Sequence, residues 1–234
     1  MRGLTEIMPG RPTVAEHRHP VDEVRRHFET HTVDPLTRMH VMTIVAGEQQ
    51  TMNYYMNHGA EWVEPIARGT YTEIAMIEEQ HVTHYESLLD PLDSWLANWV
   101  FHEYNEVYLY WSMHQQETDP RIKAIWELSV DMELGQLQVA CDFMRRYEGR
   151  DPAELLPKEL PDTPVTFEPN KEYVRQVLAE QIDLRADGLD FVPLNSLPAD
   201  HRYFAYQAIV NEGGSPTEEV IERVRAEKDH EYRT

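Results

Sequence analysis

The sequence has one cysteine, Cys141, in 234 residues, which excludes an intrachain disulfide and leaves packing to hold the fold, as suits a reducing compartment. Glycine is scarce, at 10. With Glu, Leu, Met and Ala abundant, that balance favours helix. No run approaches the ~20 consecutive apolar residues of a membrane span. The first 30 residues carry charges and prolines throughout, with no apolar core of the signal-peptide type. Basic residues are outnumbered two to one, 21 Lys+Arg against 42 Asp+Glu, for a formal charge of -21. Such a surface repels nucleic acid and anionic membranes, so neither is expected as a partner. The expectation is a soluble, cytoplasmic protein with one main domain and an extension.

What is present is a repeated pattern. Four times an acidic residue precedes a proline, and 12 or 13 residues after that proline stands a glutamate. Asp34-Pro35 leads to Glu48, Glu64-Pro65 to Glu78, Asp90-Pro91 to Glu103, and Asp119-Pro120 to Glu133. An acid before proline opens a helix well: the carboxylate caps free N–H groups, and proline at the first helical position loses no hydrogen bond. The pattern predicts four helices, near 35–60, 65–89, 91–117 and 120–147, each with a glutamate near its middle. The intervals Glu48–Glu78 and Glu103–Glu133 are both 30 residues, as in two copies of one helical hairpin.

Apolar residues recur at helical spacing: Ile74, Ile77, His81, Tyr85 and Leu88 in the second helix, and Trp126, Val130, Glu133, Leu137 and Ala140 in the fourth. The glutamates lie on these apolar faces. An unpaired buried carboxylate costs several kcal/mol, and four at one level would repel further, so metal or protons must compensate. Residues 1–34 read as an N-terminal arm with a short helix around Val21–Thr30, and 35–150 as the bundle carrying the site. Residues 151–234 read as a Pro-rich linker to Asn170, then a helical tail with segments at 171–186 and 199–210. Ser215-Pro216-Thr217-Glu218 is a capping box that opens a last polar helix.

Glu78 and His81 form Glu-x-x-His, whose two side chains project from one side of a helix. Glu16/His19 and Glu227/His230 match the same motif in polar terminal segments. The mid-helix pair resembles the ferritin-like di-metal carboxylate proteins (the rubrerythrin, manganese catalase and di-iron oxygenase type). Their signature is one glutamate from each of two helices and Glu-x-x-His from each of the other two. The resemblance covers 35–147. It implies an all-α, ferritin-like four-helix bundle with a helical C-terminal extension, in which Glu48 and Glu103 match the single glutamates, Glu78 and His81 the first motif, and Glu133 the second glutamate. The chain departs from that pattern at Gln136, a poor ligand where the family has histidine. Glu106, three residues after Glu103, is the candidate replacement; alternatively it caps a solvent edge or hydrogen-bonds a ligand. A second departure is the short interval between Glu78 and Glu103. It favours an up-down-up-down bundle unless the second helix ends near Glu86 and residues 87–97 run back extended.

The implied function is a di-metal, carboxylate-bridged oxidoreductase holding two Fe or two Mn ions. It would act on O2 or H2O2 and on a small organic substrate, in a homodimer, with catalytic side chains unassigned. The reading from another class is a non-catalytic helical scaffold or oligomerisation module with a decayed or single-metal site. Tyr55, Tyr85 and Tyr110 stand seven residues beyond their glutamates, as hydrogen-bonding phenols or as packing. His84 and His102 read as supporting or packing residues. Cys141 and the Trp95, Trp99, Trp111 and Trp126 set read as core.

Overall fold

Three of the four acid–proline pairs open helices as expected. The structure, a computed structural model, describes residues 17–166, 168–181 and 183–229. Helix α1 is Pro35–Gly59, α2 is Pro65–Glu86 and α4 is Pro120–Phe143. Asp34 Oδ1 accepts from the N–H groups of Leu36 and Thr37. Glu64 accepts from Ala67 N–H at 2.7 Å, and Asp119 from Arg121 N–H at 2.8 Å.

The fourth pair does not open a helix. Asp90 spends its carboxylate on the N–H groups of Leu92 and Thr30, which hold it below the usual carboxylate range. It closes a turn, and α3 (Trp95–Gln116) starts five residues after it behind Ser94, whose Oγ accepts from Ala97 N–H at 3.0 Å. Glu48, Glu78 and Glu133 are each the fourteenth residue of their helix, whereas Glu103 is the ninth of α3. The extended run over 87–97 is likewise not formed: α2 does end at Glu86, but the residues after it make turns.

The remaining elements are α5 (Lys171–Gln181), β1 (Leu184–Asp187), β2 (Asp190–Pro193), α6 (Arg202–Val210) and α7 (Pro216–Lys228). Among the described residues the chain is mostly helical, as expected, with one antiparallel two-stranded ribbon; its first strand takes 184–186 from the helix expected over 171–186, which ends at Gln181. The ribbon's turn is Gly188-Leu189, with Gly188 at φ +64°, a conformation glycine adopts without strain. The helix expected around Val21–Thr30 is one 3-10 turn, Pro20–Glu23. Among the described residues no helix is long and apolar enough to cross a membrane.

The chain forms two compact units. The first comprises the described parts of Met1–Arg26, Val45–Ser87 and Asn170–Thr234, and the second those of His27–Ile44 and Leu88–Pro169. In the first, Tyr71, Ile74 and Ala75 of α2 bury against Tyr55 of α1 and Val220 and Val224 of α7. Burying each aliphatic side chain contributes about 1.5–3 kcal/mol. The α7 N-terminus is fastened to α2 by Glu73, a buried carboxylate that accepts from Thr217 N–H at 2.8 Å and its hydroxyl at 2.5 Å. Ser215 Oγ accepts from Glu218 N–H at 3.3 Å, the capping bond expected of that motif. Gly69 makes the approach possible, since a Cβ there would lie 2.8 Å from Pro216 Cγ.

In the second unit α3 and α4 pack as a hairpin across the short turn 117–119. Small residues let them approach at one end, where Ala97 and Val100 meet Ala140, Cys141 and Met144. Another cluster joins Met39 and Met42 to Phe101, Tyr104 and Tyr108. Arg38 is buried there, 3.0 Å from Asp93 and 4.1 Å above the Phe101 ring. The Pro-rich segment after Asp151 runs along one stripe of α3. Tyr104 and Tyr108 hydroxyls donate to the carbonyls of Glu159 and Thr163 at 2.8 Å, and Val165 N–H donates to Ser112 Oγ at 3.0 Å. Four-residue spacing puts 104, 108 and 112 in line, so an extended strap with no partner strand satisfies its backbone on helix side chains. Trp95, expected in the core, is 73 % exposed because α3 opens only at that residue.

Candidate metal centre

The stripe on α2 that begins at Ala67 continues through Tyr71, Ile74 and Glu78 to His81, so the carboxylate and the imidazole arrive on the buried side of the helix. Glu48 comes from α1. The result is a three-residue cluster: one ligand atom each from Glu48, Glu78 and His81 lies within 4.8 Å of the others. His81 Nδ1 is 3.0 Å from Glu78 Oε2 and 3.1 Å from Glu48 Oε2. An ion with ~2.1 Å bonds at right angles holds neighbouring ligand atoms ~3.0 Å apart. The same spacing serves a protonated Nδ1 donating to the carboxylates, so the donors are in place whether a proton or a cation sits among them. The donor set, two hard oxygens and one imidazole, suits Fe or Mn. Side-chain exposure rises from 2 % at Glu78 to 18 % at Glu48 and 29 % at His81, so the cluster opens on the histidine side.

Of the other expected ligands, Glu103, Glu106, Glu133 and Gln136 all belong to the second unit. Glu103 is buried and accepts from Trp99 Nε1–H at 2.6 Å. Glu133 shares a hydrogen bond with Glu103. Burial, that bond, and repulsion from Glu103 and Glu106 push the Glu133 carboxyl up to about 7. Glu106 is raised chiefly by burial, against the pull of His102. Gln136 is exposed and lines an apolar surface cavity of about 340 Å³ with Trp99, Met132, Gly135 and Val139. Tyr110 stacks on Trp126 and is raised by burial and by Glu106 and Glu133. Glu16/His19 and Glu227/His230 each include a residue outside those described.

In the first unit, Glu23 belongs to none of the sequence motifs and is 2 % exposed. Its oxygens lie 3.3 Å from Arg18 Nη1 and 3.2 Å from His84 Nδ1. Burial would raise its pKa, but the His84 hydrogen bond and the charges of Arg18 and Arg25 prevail and lower it. His84 therefore answers to Glu23, in a segment that looks like an irregular arm. Tyr55 is packed edge-on against Tyr71 in the α2–α7 core. Cys141 is buried, its thiol pushed up by desolvation.

No family model, no curated protein and no solved structure matches this chain.

Proposed function

We propose that the chain is a metal-dependent oxidoreductase of the ferritin-like kind, with an Fe or Mn centre built on Glu48, Glu78 and His81. The observation that carries it is the convergence of those three donors at hydrogen-bond range across two helices. Glu48 and Glu78 supply negative charge that offsets a divalent cation, and His81 supplies a neutral nitrogen once Nδ1 gives up its proton. Glu78, wholly buried, fixes the rear of the site; the half-exposed His81 side is where a co-reactant enters. Fe or Mn held there supplies one-electron redox chemistry and an open position for O2 or H2O2. Glu103, Glu106 and Glu133, all within the second unit, are the candidates for a second ion, and metal stoichiometry tests it.

The test is elemental analysis of protein expressed with iron and manganese both available, beside Glu78→Ala and His81→Ala. About one ion per chain, lost in both variants, supports the three-donor centre; about two supports a second ion on the second unit's carboxylates. No metal in the folded wild type overturns the proposal.

A second reading, a helical self-association module, is favoured by one observation. The outer face of α4 exposes Ile125, Leu128, Met132 and Val139, and contiguous exposed apolar surface marks association sites. Sedimentation of a Leu128→Glu variant tests it: a dimer that becomes monomer supports it, and an unchanged mass rejects it.

A further inference from the structure

Beside the three donors lies a cavity of about 240 Å³, walled by Arg18, His81, His84, Tyr85, Leu184 and Phe191. All of these belong to the first unit, and His81 is common to the cavity and the metal cluster. Its volume falls below the ~300–1,000 Å³ of drug-sized pockets, which limits an occupant to a small molecule.

The wall has two characters. One part is flat and aromatic: Phe191 stacks on the His84 imidazole at 5.9 Å and 21°, and Tyr85 meets that ring edge-on at 5.0 Å. The other part is cationic. The Arg18 guanidinium, on the wall, is 5.8 Å from the centre of the Phe191 ring; Arg25, which does not line the cavity, lies 4.3 Å from the same ring. Glu23 lies 3.3 Å from Arg18 Nη1. Among the described residues Arg18 is the one arginine on the cavity wall. Arg18 commits Nη1 to Glu23, and its planar fork carries further donors suited to a carboxylate.

We infer that this cavity binds a small aromatic monocarboxylate, its carboxylate on Arg18 and its ring against Phe191 and Tyr85, and so holds an organic acid beside His81. As a substrate assignment this rests on the metal-centre reading; as a binding site it does not. An arginine fork recognises the carboxylate as a charge-assisted pair, and stacking on the aromatic wall selects a flat body. Glu48 and Glu78 without a cation repel an organic anion, so metal loading strengthens carboxylate binding and the carboxylate strengthens metal binding by the same factor.

Calorimetric titration of the full chain with benzoate, benzamide and inorganic phosphate tests this, on Co2+-loaded and on chelator-stripped protein, with Co2+ content and its visible absorption recorded separately. The expected result is saturable benzoate binding, roughly tenfold or more tighter than benzamide. Phosphate should be weak, and benzoate should perturb the Co2+ bands. Arg18→Gln should weaken benzoate by roughly tenfold with Co2+ content unchanged. Because Arg18 also holds Glu23, Phe191→Leu serves as a second variant that removes the ring and keeps the charge; it should weaken benzoate and benzamide together. Equal binding of benzoate and benzamide, or no benzoate binding, overturns the inference. Failure to take up Co2+ overturns the metal centre instead, and the titration of the metal-free chain still decides the cavity.

Discussion

Helices α2 and α4 carry the same two positions, a glutamate at the fourteenth residue and a polar side chain three further on, in opposite surroundings. On α2 nine residues are buried, Glu78 among them; on α4 only Ala140 and Cys141 are. Glu78 has an imidazole 3.0 Å away, a partner that can carry a positive charge or yield its place to a metal. Glu133 lies beside Glu103, and burial and that neighbour push its carboxyl up to about 7. Identical spacing therefore puts an imidazole beside the carboxylate on one helix and a second carboxyl beside it on the other. What decides between them is the neighbour one turn away and the depth of burial.

The largest effect expected from breaking this contrast is at the cluster itself. Glu78→Ala should weaken Fe2+ or Mn2+ binding roughly hundredfold, read by equilibrium dialysis, with the helical circular dichroism unchanged. Glu133→Ala should act less strongly in the same assay.

Next comes packing. Ile74→Ala on α2 should cost about 3 kcal/mol in urea unfolding because it opens a cavity between α2 and α7. Leu128→Ala on α4, at a site 60 % exposed, should stay within about 0.5 kcal/mol. Equal losses would remove the distinction between the helices.

A smaller effect is tied to pH. Glu133 is raised from 4.5 to about 7 in the folded protein, so the folded state holds its proton more tightly than the unfolded state. That contribution is fully present below pH 4.5 and is lost as pH rises towards 7. Glu133→Gln should therefore flatten the decline, and stabilise metal-free protein at pH 8 by on the order of 1 kcal/mol after solvent screening. Urea melts of metal-free wild type and variant at pH 5 and pH 8 check it, and an equal shift at both values would contradict the raised Glu133 carboxyl. The smallest effect is at Gln136. The side chain is exposed, so Gln136→His should leave metal per chain unchanged by elemental analysis. A gain of one ion would show that the missing histidine alone separates α4 from α2.

Much of this was legible in sequence where the signal is local. Asp34, Glu64 and Asp119 before proline cap their helices as read, because an acid–proline start needs only three or four neighbouring residues. The Glu78/His81 pair was legible for the same reason, since i and i+3 share a face. Asp90 misled because a carboxylate before proline closes a turn as readily as it caps a helix; here Thr30, distant in the chain, takes one of its oxygens. Ser94, the working cap, has no proline to mark it. Nothing local announces Glu23, Arg18 and Phe191 as neighbours of His84, since they meet only through tertiary folding. The strap after Asp151 reads as a linker by its prolines, and its attachments are to tyrosines and a serine on α3.

The most direct test of the central claim is anomalous diffraction at the manganese edge from crystals grown with Mn2+. The account predicts a peak within coordination distance of Glu48, Glu78 and His81, absent in Glu78→Ala. Well-ordered side chains at those three residues with no anomalous peak among them would contradict it.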